Sequence, residues 1–338
     1  MCYSTWLKRI AAMLNLKPIE GKTLLVTGGT GMIGKWMIDY LLDHVDCRIV
    51  VTGRSEAKFR ERFPGRPLAF VKWDIAHDHI PAIDGSVDYI IHLASNTHPV
   101  AYATDPVSTI VMNVNAAKEL LDLAVEKKTT RFVYASSVEI YGQNRGDVEK
   151  FTEDYCGYID CNTLRAGYPE SKRCGEALCQ AYIKQHNLDI VIPRIARVYG
   201  PTLLKTDTKA LSQFIANALA GQDIVLKSEG LQHFSYLHVA DAVSGILTVM
   251  LKGKKGEAYN IADDRSDIRL RDLAALIASA CGRKVVFDIP SASESAGFST
   301  ANVARLDNAK IRALGWRAEY DIERGVRETI DQLRRGLP

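Results

Sequence analysis

The sequence predicts an α/β protein, in which helices cover both faces of a doubly wound parallel sheet and a smaller C-terminal α/β lobe follows. Two observations support this fold class. Short β-rich segments alternate with helical segments through residue 200, and this alternation is typical of a parallel sheet. A chain of 338 residues, 47% of them hydrophobic, is also long enough to form one large core and a second, smaller one.

The predicted strands of the large sheet are short and apolar, as buried parallel strands usually are. In chain order they are KTLLV, RIVV, LAFV, VDYIIHLA, RFVYAS and LDIVIPRI. The C-terminal third shows helical periodicity over 207–220, 239–252, 269–280 and 321–335. The shorter strands that we expect among these helices are DIVL, EAYNIA and KVVFDI.

Charge and cysteine content exclude several classes of function. The net charge is +3 and Lys and Arg are scattered, so nucleic acid is not expected as a partner. No stretch is apolar enough for a membrane span, and the helically spaced apolar residues near the N-terminus, such as Trp6 and Ile10, predict an amphipathic helix. The seven cysteines form no CxxC pair and no zinc pattern with His, so we expect reduced thiols in a cytoplasmic protein and no metal site.

A glycine turn follows the first predicted strand. In KTLLVTGGTGMIGKWMIDYLL, Gly28, Gly31 and Gly34 lie between this strand and an amphipathic helix. Gly28 and Gly31 would let backbone N–H groups approach a pyrophosphate at the positive end of the helix, and Gly34 would let the helix pack closely on the sheet. The turn therefore predicts a dinucleotide site in a Rossmann domain, with Met32 and Ile33 also beside the cofactor.

These patterns divide the chain into three parts. We expect an N-terminal helical extension (1–20), a dinucleotide-binding Rossmann domain (21–200) and a mainly substrate-binding lobe (201–338), with some exchange of segments between the last two. Ligands of an open parallel sheet bind beyond the carboxyl ends of its strands, so the lobe is expected to close over that edge.

The residue after the second strand bears on the choice of cofactor. NAD sites of this kind usually carry a carboxylate there, about 20 residues after the glycine turn, to bind the ribose hydroxyls. This chain has Arg54 instead, without an adjacent carboxylate. Since arginine suits the 2′-phosphate of NADP, we expect NAD(P) with a preference for NADP. Asp74 and Ile75, after the third strand, are expected beside the adenine, where Asp74 would accept a hydrogen bond from the amino group.

Tyr168 and Lys172 in GYPESKR are one helical turn apart and therefore share a helix face. Such a pair is common by chance, so its meaning depends on the rest of an active site. RFVYASSVEIYG places Ser137 at the end of a strand, 31 residues before Tyr168. Together TGGTGMIG, ASSVEIYG, YPESK and RIARVYGP resemble the extended short-chain dehydrogenase/reductase family of nucleotide-sugar epimerases, dehydratases and decarboxylases, from about residue 20 to residue 335.

The resemblance implies roles for these residues. Tyr168 is the general base or acid, and Lys172 favours its phenolate and holds the nicotinamide ribose, since a phenol with a pKa of about 10 is a weak base at neutral pH. Ser137 orients the reacting sugar oxygen. The first step is removal of a hydride from a sugar carbon, normally at the 4-position. Further residues expected to contact the cofactor are Ala94, Ser95 and Ile195.

Glu139 bears on the fate of the oxidised sugar. In the family, 4,6-dehydratases and UDP-glucuronate decarboxylases typically have Glu two residues after the serine, but dehydratases place Asp before it and this chain has Val138. HLASNTHPVAYATDPV, LRAGYPESKRCGEAL and YGPTLLKTDTKALSQFI resemble the decarboxylases without gaps. A strand-end carboxylate held in a salt bridge is the structural alternative for Glu139.

Decarboxylation of a UDP-glucuronate-like substrate is therefore the leading hypothesis. A nucleotide-sugar 4-epimerase, dehydratase or 4-keto reductase is the alternative within the family. Outside it, the chain would be a dinucleotide-binding sensor without turnover, although a sensor has no need of Ser137, Tyr168 and Lys172 together.

Two positions depart from the family pattern in the expected substrate pocket. The family usually has Arg seven residues before the Asp of YLHVAD, where it binds the substrate diphosphate, and this chain has Phe234. Arg197 replaces a frequent substrate Asn before YGP. A positive charge has therefore moved across the pocket, or the diphosphate is presented differently. Other residues expected to contact the substrate are Thr97, Gln213 and Lys209, the last of which stands where the decarboxylases usually have Arg.

The resemblance also implies a homodimer. Its interface would be a four-helix bundle that contains the helices from about 105 to 127 and from 168 to 186 of each subunit. The residues by themselves indicate only that both segments are long and amphipathic.

Overall fold

The computed structural model describes residues 14–95, 105–203, 207–289 and 302–336. Most of the predicted N-terminal amphipathic helix, and Thr97, lie outside these residues. The described N-terminal segment includes a short 3₁₀ helix, Lys17–Ile19, whose Ile19 is fully buried. Among the described residues, no helix is both long and apolar enough to cross a membrane.

The strands are short, as the sequence predicts, and are numbered β1 to β14 in chain order. They are Thr23–Thr27, Arg48–Gly53, Ala69–Lys72, Tyr89–His92, Arg131–Tyr134, Ser136–Ser137, Ile190–Ile195, Arg197–Tyr199, Ile224–Leu226, His233–His238, Ala258–Ile261, Asp267–Arg269, Val285–Phe287 and Val303–Ala304.

The α-helices of the described residues are numbered α1 to α9, and most of them lie close to the predicted segments. They are Met32–His44, Glu56–Arg62, Pro106–Glu126, Gly167–His186, Ala210–Leu219, Val239–Lys252, Leu270–Cys281, Ala309–Ala313 and Ile322–Arg334.

The large sheet has the order β11-β7-β5-β4-β1-β2-β3, and each neighbouring pair is parallel. Because β1 lies between β2 and β4, the chain crosses the sheet in one direction after β1 and in the other direction from β4 onwards. This reversal is the topological switch point of a doubly wound sheet, and ligands bind outside the carboxyl ends of the strands beside it. The predicted fold class is confirmed.

The core has two halves because helices cover both faces of this sheet. β1 is buried along its whole length. Leu24 and Val26 pack with Trp36 of α1 in one cluster, whereas Leu25 packs with Leu120 of α3 in the other. This alternation follows from the two-residue period of a strand, which points successive side chains to opposite faces.

Segments from the C-terminal third complete the large sheet. α6 has all but its last two residues buried and packs on α1 and β7, and β11 pairs with β7. The remaining strands form a small sheet of β8, β10, β12 and β14 and a ribbon of β9 and β13. The small sheet therefore starts at β8, directly beyond the carboxyl end of β7. The predicted domain boundary at residue 200 stays a prediction.

The predicted strand RFVYAS is divided in two. β5 ends at Tyr134, and β6 pairs separately with β7 through Ser136 and Ser137. Ala135, between them, donates its N–H to His92 O at 3.2 Å and accepts a hydrogen bond from the side chain of Lys172. The break therefore turns one backbone carbonyl toward the predicted catalytic lysine.

Candidate active site

The glycine turn between β1 and α1 leaves no space for side chains. Gly28 has a φ of +70°, and a Cβ there would lie 2.8 Å from the backbone N of Ala94. A Cβ on Gly34 would lie 2.4 Å from Gly28 O. Gly29, which the sequence analysis did not single out, would place a Cβ 2.6 Å from Val51 Cγ1. Its place in the Gly-Gly pair was the available signal.

The start of α1 fits the pyrophosphate of a dinucleotide. Gly31 is the N-cap of this 13-residue helix, and no side chain caps its first turn. Uncapped N–H groups at the positive end of a helix favour an anion, and the surrounding glycines let it approach the backbone. Met32 and Ile33 form the first turn and pack partly buried on the core, and Thr202 Oγ1 donates to Met32 O at 3.1 Å.

Buried polar contacts join the ends of β1 and β4 at the switch point. Thr27 Oγ1 lies 2.8 Å from His92 Nδ1 and accepts a hydrogen bond from Ala94 N at 3.1 Å. Burial, and then the charge of Lys172, lower the pKa of His92 to about 3, so the ring is neutral. Thr27 and His92 are not among the predicted site residues, and their contacts hold Ala94 against the glycine turn.

The residues predicted to bind the adenosine end lie after β2 and β3. Arg54 is exposed directly after β2. Ser55, the next residue, caps α2 by accepting from Lys58 N at 3.2 Å. Asp74 Oδ1 accepts a hydrogen bond from Ala76 N at 3.2 Å, and Ile75 packs partly buried on the core.

Tyr168 and Lys172 lie in the first two turns of α4 and are 5% and 2% exposed. Lys172 Nζ donates to Ala135 O at 2.9 Å, across the break between β5 and β6. The side chains of Ser137 and Ser95 are both hydrogen-bonded to the Tyr168 phenol. The fold therefore brings together the serine, tyrosine and lysine that the sequence predicts.

Burial dominates the pKa values of this pair. It raises the pKa of Tyr168 to about 12, and the hydrogen bonds of the phenol with Ser137 and Ser95 offset this only in part. It also lowers the pKa of Lys172 to about 8, against the opposing charge of Glu176. The sequence predicts that Lys172 lowers the pKa of the phenol. In the chain by itself, desolvation outweighs such an effect.

Asn113 of α3 connects both sides of the tyrosine, although the sequence analysis did not identify it. It is 2% exposed, accepts a hydrogen bond from Ser95 Oγ and donates to Ser171 Oγ, both at 2.9 Å. Ser171 Oγ donates in turn to Tyr168 O at 2.7 Å. An Asn on the buried face of an amphipathic helix was the available signal, because a buried amide needs partners.

Glu139, Arg197 and Phe234 are neighbours in space. Glu139 N donates to Ser137 Oγ at 3.2 Å, and Arg197 Nη2 donates to Glu139 Oε1 at 2.9 Å. Arg197 Cζ lies 3.9 Å from the centre of the Phe234 ring. β8 pairs with β10 so that Arg197 is opposite Tyr236. The two departures from the family pattern, Arg197 and Phe234, are therefore in contact. Glu139 forms a salt bridge, as expected if its role is structural.

The other predicted substrate residues lie at the start of α5. Lys209 Nζ is 3.8 Å from Asp207 Oδ2, and Gln213 Nε2 donates to Asp207 O at 2.6 Å. These contacts do not connect them to Ser137 or Tyr168. Ile195, predicted to contact the cofactor, is buried at the end of β7 opposite Ser137.

A decarboxylase, an epimerase and a dehydratase resemble this chain over most of its length. UDP-glucuronic acid decarboxylase 6 of Arabidopsis thaliana is 30% identical over 93% of this chain and 90% of its own. A UDP-glucose 4-epimerase structure of Thermotoga maritima is 22% identical, with a TM-score of 0.81 over 94% of this chain and all of its own. A dTDP-glucose 4,6-dehydratase of Streptomyces venezuelae, solved with NAD, is 26% identical, with a TM-score of 0.78 over 93% and 97%.

A family model described as the NAD dependent epimerase/dehydratase family matches residues 24–262. The matched region includes the glycine turn, Ser137 and the Tyr168–Lys172 pair, and the resemblance inferred from these motifs is confirmed. The chain therefore belongs to the NAD dependent epimerase/dehydratase family and is an NAD-dependent enzyme.

Proposed function

We propose that the protein oxidises the 4-hydroxyl of a nucleotide-activated sugar with bound NAD, and that a UDP-glucuronate-like substrate then loses carbon dioxide. The observation that carries this proposal is the cluster of the half-buried Ser137 with the buried Tyr168 and Lys172 at the carboxyl edge of the large sheet. Glu139 and Arg197 lie next to this cluster. The relatives named UDP-glucuronic acid decarboxylase support the substrate class.

The side chains of the cluster would each have one part in the oxidation step. When bound, NAD supplies the hydride acceptor and a positively charged ring. The proton of the sugar hydroxyl passes to the phenolate of Tyr168, while Ser137 holds the sugar oxygen beside it. Lys172 is charged at neutral pH, because its pKa of about 8 is still above 7. Its ammonium group favours the phenolate against the cost of burial.

Decarboxylation then results from the substrate's own chemistry. The carboxylate carbon of the sugar is attached to C5, beside the new C4 carbonyl, so the oxidised substrate is a β-keto acid. When carbon dioxide leaves, the electrons of the broken bond pass into an enolate that the C4 oxygen stabilises. We propose that Glu139, whose side chain is 43% exposed beside Ser137, takes up a proton from solvent and passes it to C5.

We also propose the contacts of the bound molecules. The cofactor pyrophosphate would lie on the turn of Gly28, Gly31 and Gly34, and Asp74 would bind the adenine. Residues proposed to line the rest of the cofactor site are Met32, Ile33, Ile75, Ala94, Ser95 and Ile195. A preference for NADP, based on Arg54, stays a prediction. Thr97, Lys209, Gln213 and Phe234 stay proposed substrate contacts.

We propose a homodimer formed by α3 and α4 in a reducing compartment, the cytoplasm. Val107, Ile110 and Val111 on α3 are 70%, 41% and 46% exposed, and Leu164, just before α4, is 66% exposed. Such an apolar patch at the N-terminal ends of two packed helices supports an interface there. The cysteines of the described residues form no disulfide, which supports the reducing compartment.

The test is incubation of the purified protein with UDP-glucuronate and with UDP-, dTDP-, CDP- and GDP-hexoses in the presence of NAD. Products are identified by mass spectrometry while the absorbance of reduced cofactor is followed. Loss of carbon dioxide from UDP-glucuronate is the expected result. A 4-epimer or a dehydrated hexose as the main product would support the alternative reactions instead. No turnover of any of these sugars would contradict the substrate class.

A further inference from the structure

Arg197 has an unused hydrogen-bonding group next to the proposed reaction site. Its guanidinium donates to Glu139 through Nη2, whereas Nη1 is buried and has no hydrogen-bond partner among the described residues. Buried polar groups normally have partners, and a charged donor without one is destabilising. This half of the guanidinium fork can therefore bind an oxygen atom that the described chain does not supply.

The position of Arg197 places it near the reacting sugar. Ser137 is paired with Ile195, and both chains continue by two residues, to Glu139 and Arg197. Glu139 belongs to a 3₁₀ helix, Val138–Tyr141, that starts directly after Ser137, and its N–H donates to Ser137 Oγ at 3.2 Å. The Glu139–Arg197 hydrogen bond links these two extensions. One substrate can therefore reach Ser137 and Arg197 at the same time.

Phe234 supports the guanidinium without fixing its rotation. The Cζ atom lies 3.9 Å from the ring centre, so the flat guanidinium is held over the face of the ring. Contact with a ring face is kept when the guanidinium turns in its own plane. This rotation can bring the buried Nη1 toward the accessible side, where 43% of the Glu139 side chain is exposed.

We propose that Arg197, stacked on Phe234, is the residue that binds an oxyanion of the substrate. The substrate class rests on the proposed function. Its oxyanion is the sugar carboxylate or the diphosphate, since both present paired oxygens that match an arginine fork. Glu139 occupies one arm of the fork and competes with the substrate for it. Arg197 thus supplies, from β8, the positive charge that Phe234 does not supply from β10.

The test is calorimetric titration of the NAD-loaded protein with UDP, UDP-glucose and UDP-glucuronate. A Tyr168→Phe background prevents turnover, so binding is measured apart from chemistry. Arg197→Gln should weaken at least one ligand more than tenfold. Weaker binding of UDP-glucuronate alone identifies the carboxylate, and weaker binding of all three identifies the diphosphate. Arg312→Gln, at an exposed arginine of α8, is the matched charge control and should change none of them.

Two further variants separate binding from a structural role. Glu139→Gln removes the competitor and should strengthen the same ligand at least threefold. The double variant Arg197→Asn/Phe234→Arg returns the charge to β10 and should recover most of the affinity that Arg197→Asn loses. NAD affinity and the Tm without nucleotide sugar should stay close to wild type in Arg197→Gln and Glu139→Gln, whereas a structural role would change both.

Three results would overturn the proposal. Unchanged affinity for all three ligands in Arg197→Gln would remove Arg197 from the binding site. Equal losses in Arg197→Gln and Glu139→Gln would show that the pair acts as one structural unit. No binding of any ligand by the protein with Arg197 intact would contradict the nucleotide-sugar class and this inference with it. Binding of UDP-glucuronate without decarboxylation by wild type would contradict the proposed reaction only.

Discussion

Replacing Asn113 with alanine tests how the active-site tyrosine is held in place. The amide joins Ser95, which is hydrogen-bonded to the phenol of Tyr168, to Ser171, which is hydrogen-bonded to the Tyr168 carbonyl. The variant removes the acceptor of the first serine and the donor to the second. The contact with Ser171 is buried between α3 and α4, and the contact with Ser95 is partly buried.

The size of the effect is set by these two lost contacts. Leaving a buried polar group without its partner costs about 1–3 kcal/mol. Two such groups should lower the free energy of unfolding by about 2–6 kcal/mol, a large part of the roughly 5–15 kcal/mol of a typical domain. A misplacement of about 1 Å at a catalytic group can cost roughly a hundredfold in rate. We therefore expect kcat to fall at least tenfold, with a smaller change in KM.

The assay combines thermal unfolding with steady-state kinetics on the substrate that the sugar panel identifies. Asn115→Ala is the matched control, because Asn115 is exposed two residues along the same helix. It should keep the Tm and kcat of the wild type. If Asn113→Ala unfolds at the same temperature as Asn115→Ala and keeps full kcat, the reasoning about the Ser95–Asn113–Ser171 chain is refuted.

Three further predictions concern the cofactor turn, the buried lysine and the dimer. Gly34→Ala places a Cβ 2.4 Å from Gly28 O, about 1 Å short of van der Waals contact, so calorimetry should show NAD affinity at least tenfold lower. Wild-type affinity would contradict binding of the cofactor at the glycine turn. Folding lowers the pKa of Lys172 from 10.5 to about 8. This shift reduces the free energy of unfolding by roughly 3 kcal/mol below pH 8, and the reduction disappears above pH 10.5. Lys172→Met should therefore lose activity but keep the wild-type Tm at pH 7. The stability of the wild type relative to this variant should rise from pH 8 to 10.5. A Tm of the variant several degrees below that of the wild type at pH 7 would contradict this reasoning. Ile110→Glu should give monomers in light scattering, whereas Val225→Glu, at an exposed valine of β9, should not; dimers in both would remove α3 from the interface.

Local patterns were sufficient to predict most of the fold. α6 begins and ends at the predicted residues, Val239 and Lys252, because an apolar segment bounded by a strand and a glycine has few alternatives. The break at Ala135 was not predictable, because the partners of its backbone, His92 and Lys172, are distant in the sequence.

In the site, too, the features that could be predicted involve residues close together in the sequence, and those that could not be predicted involve residues far apart in it. The glycine turn and the Tyr168–Lys172 pair are local patterns, and their spacing alone places the glycines in one turn and the pair on one helix face. The contact between Arg197 and Phe234 depends on the pairing of β8 with β10, two strands that are far apart in the sequence. The raised pKa of Tyr168 could not be predicted either, because it results from burial by the assembled fold.

Tyr168 is proposed to take a proton from a UDP-glucuronate-like substrate before carbon dioxide is lost. The most direct measurement is the rate of carbon dioxide release from UDP-glucuronate by wild type, Tyr168→Phe and the control Tyr158→Phe, at an exposed tyrosine, with bound NAD and products followed by mass spectrometry. Release by wild type and Tyr158→Phe, at least a hundredfold slower in Tyr168→Phe, is the predicted result. Equal rates in all three proteins would contradict the role of Tyr168, and an unchanged substrate with wild type would contradict the proposed decarboxylation.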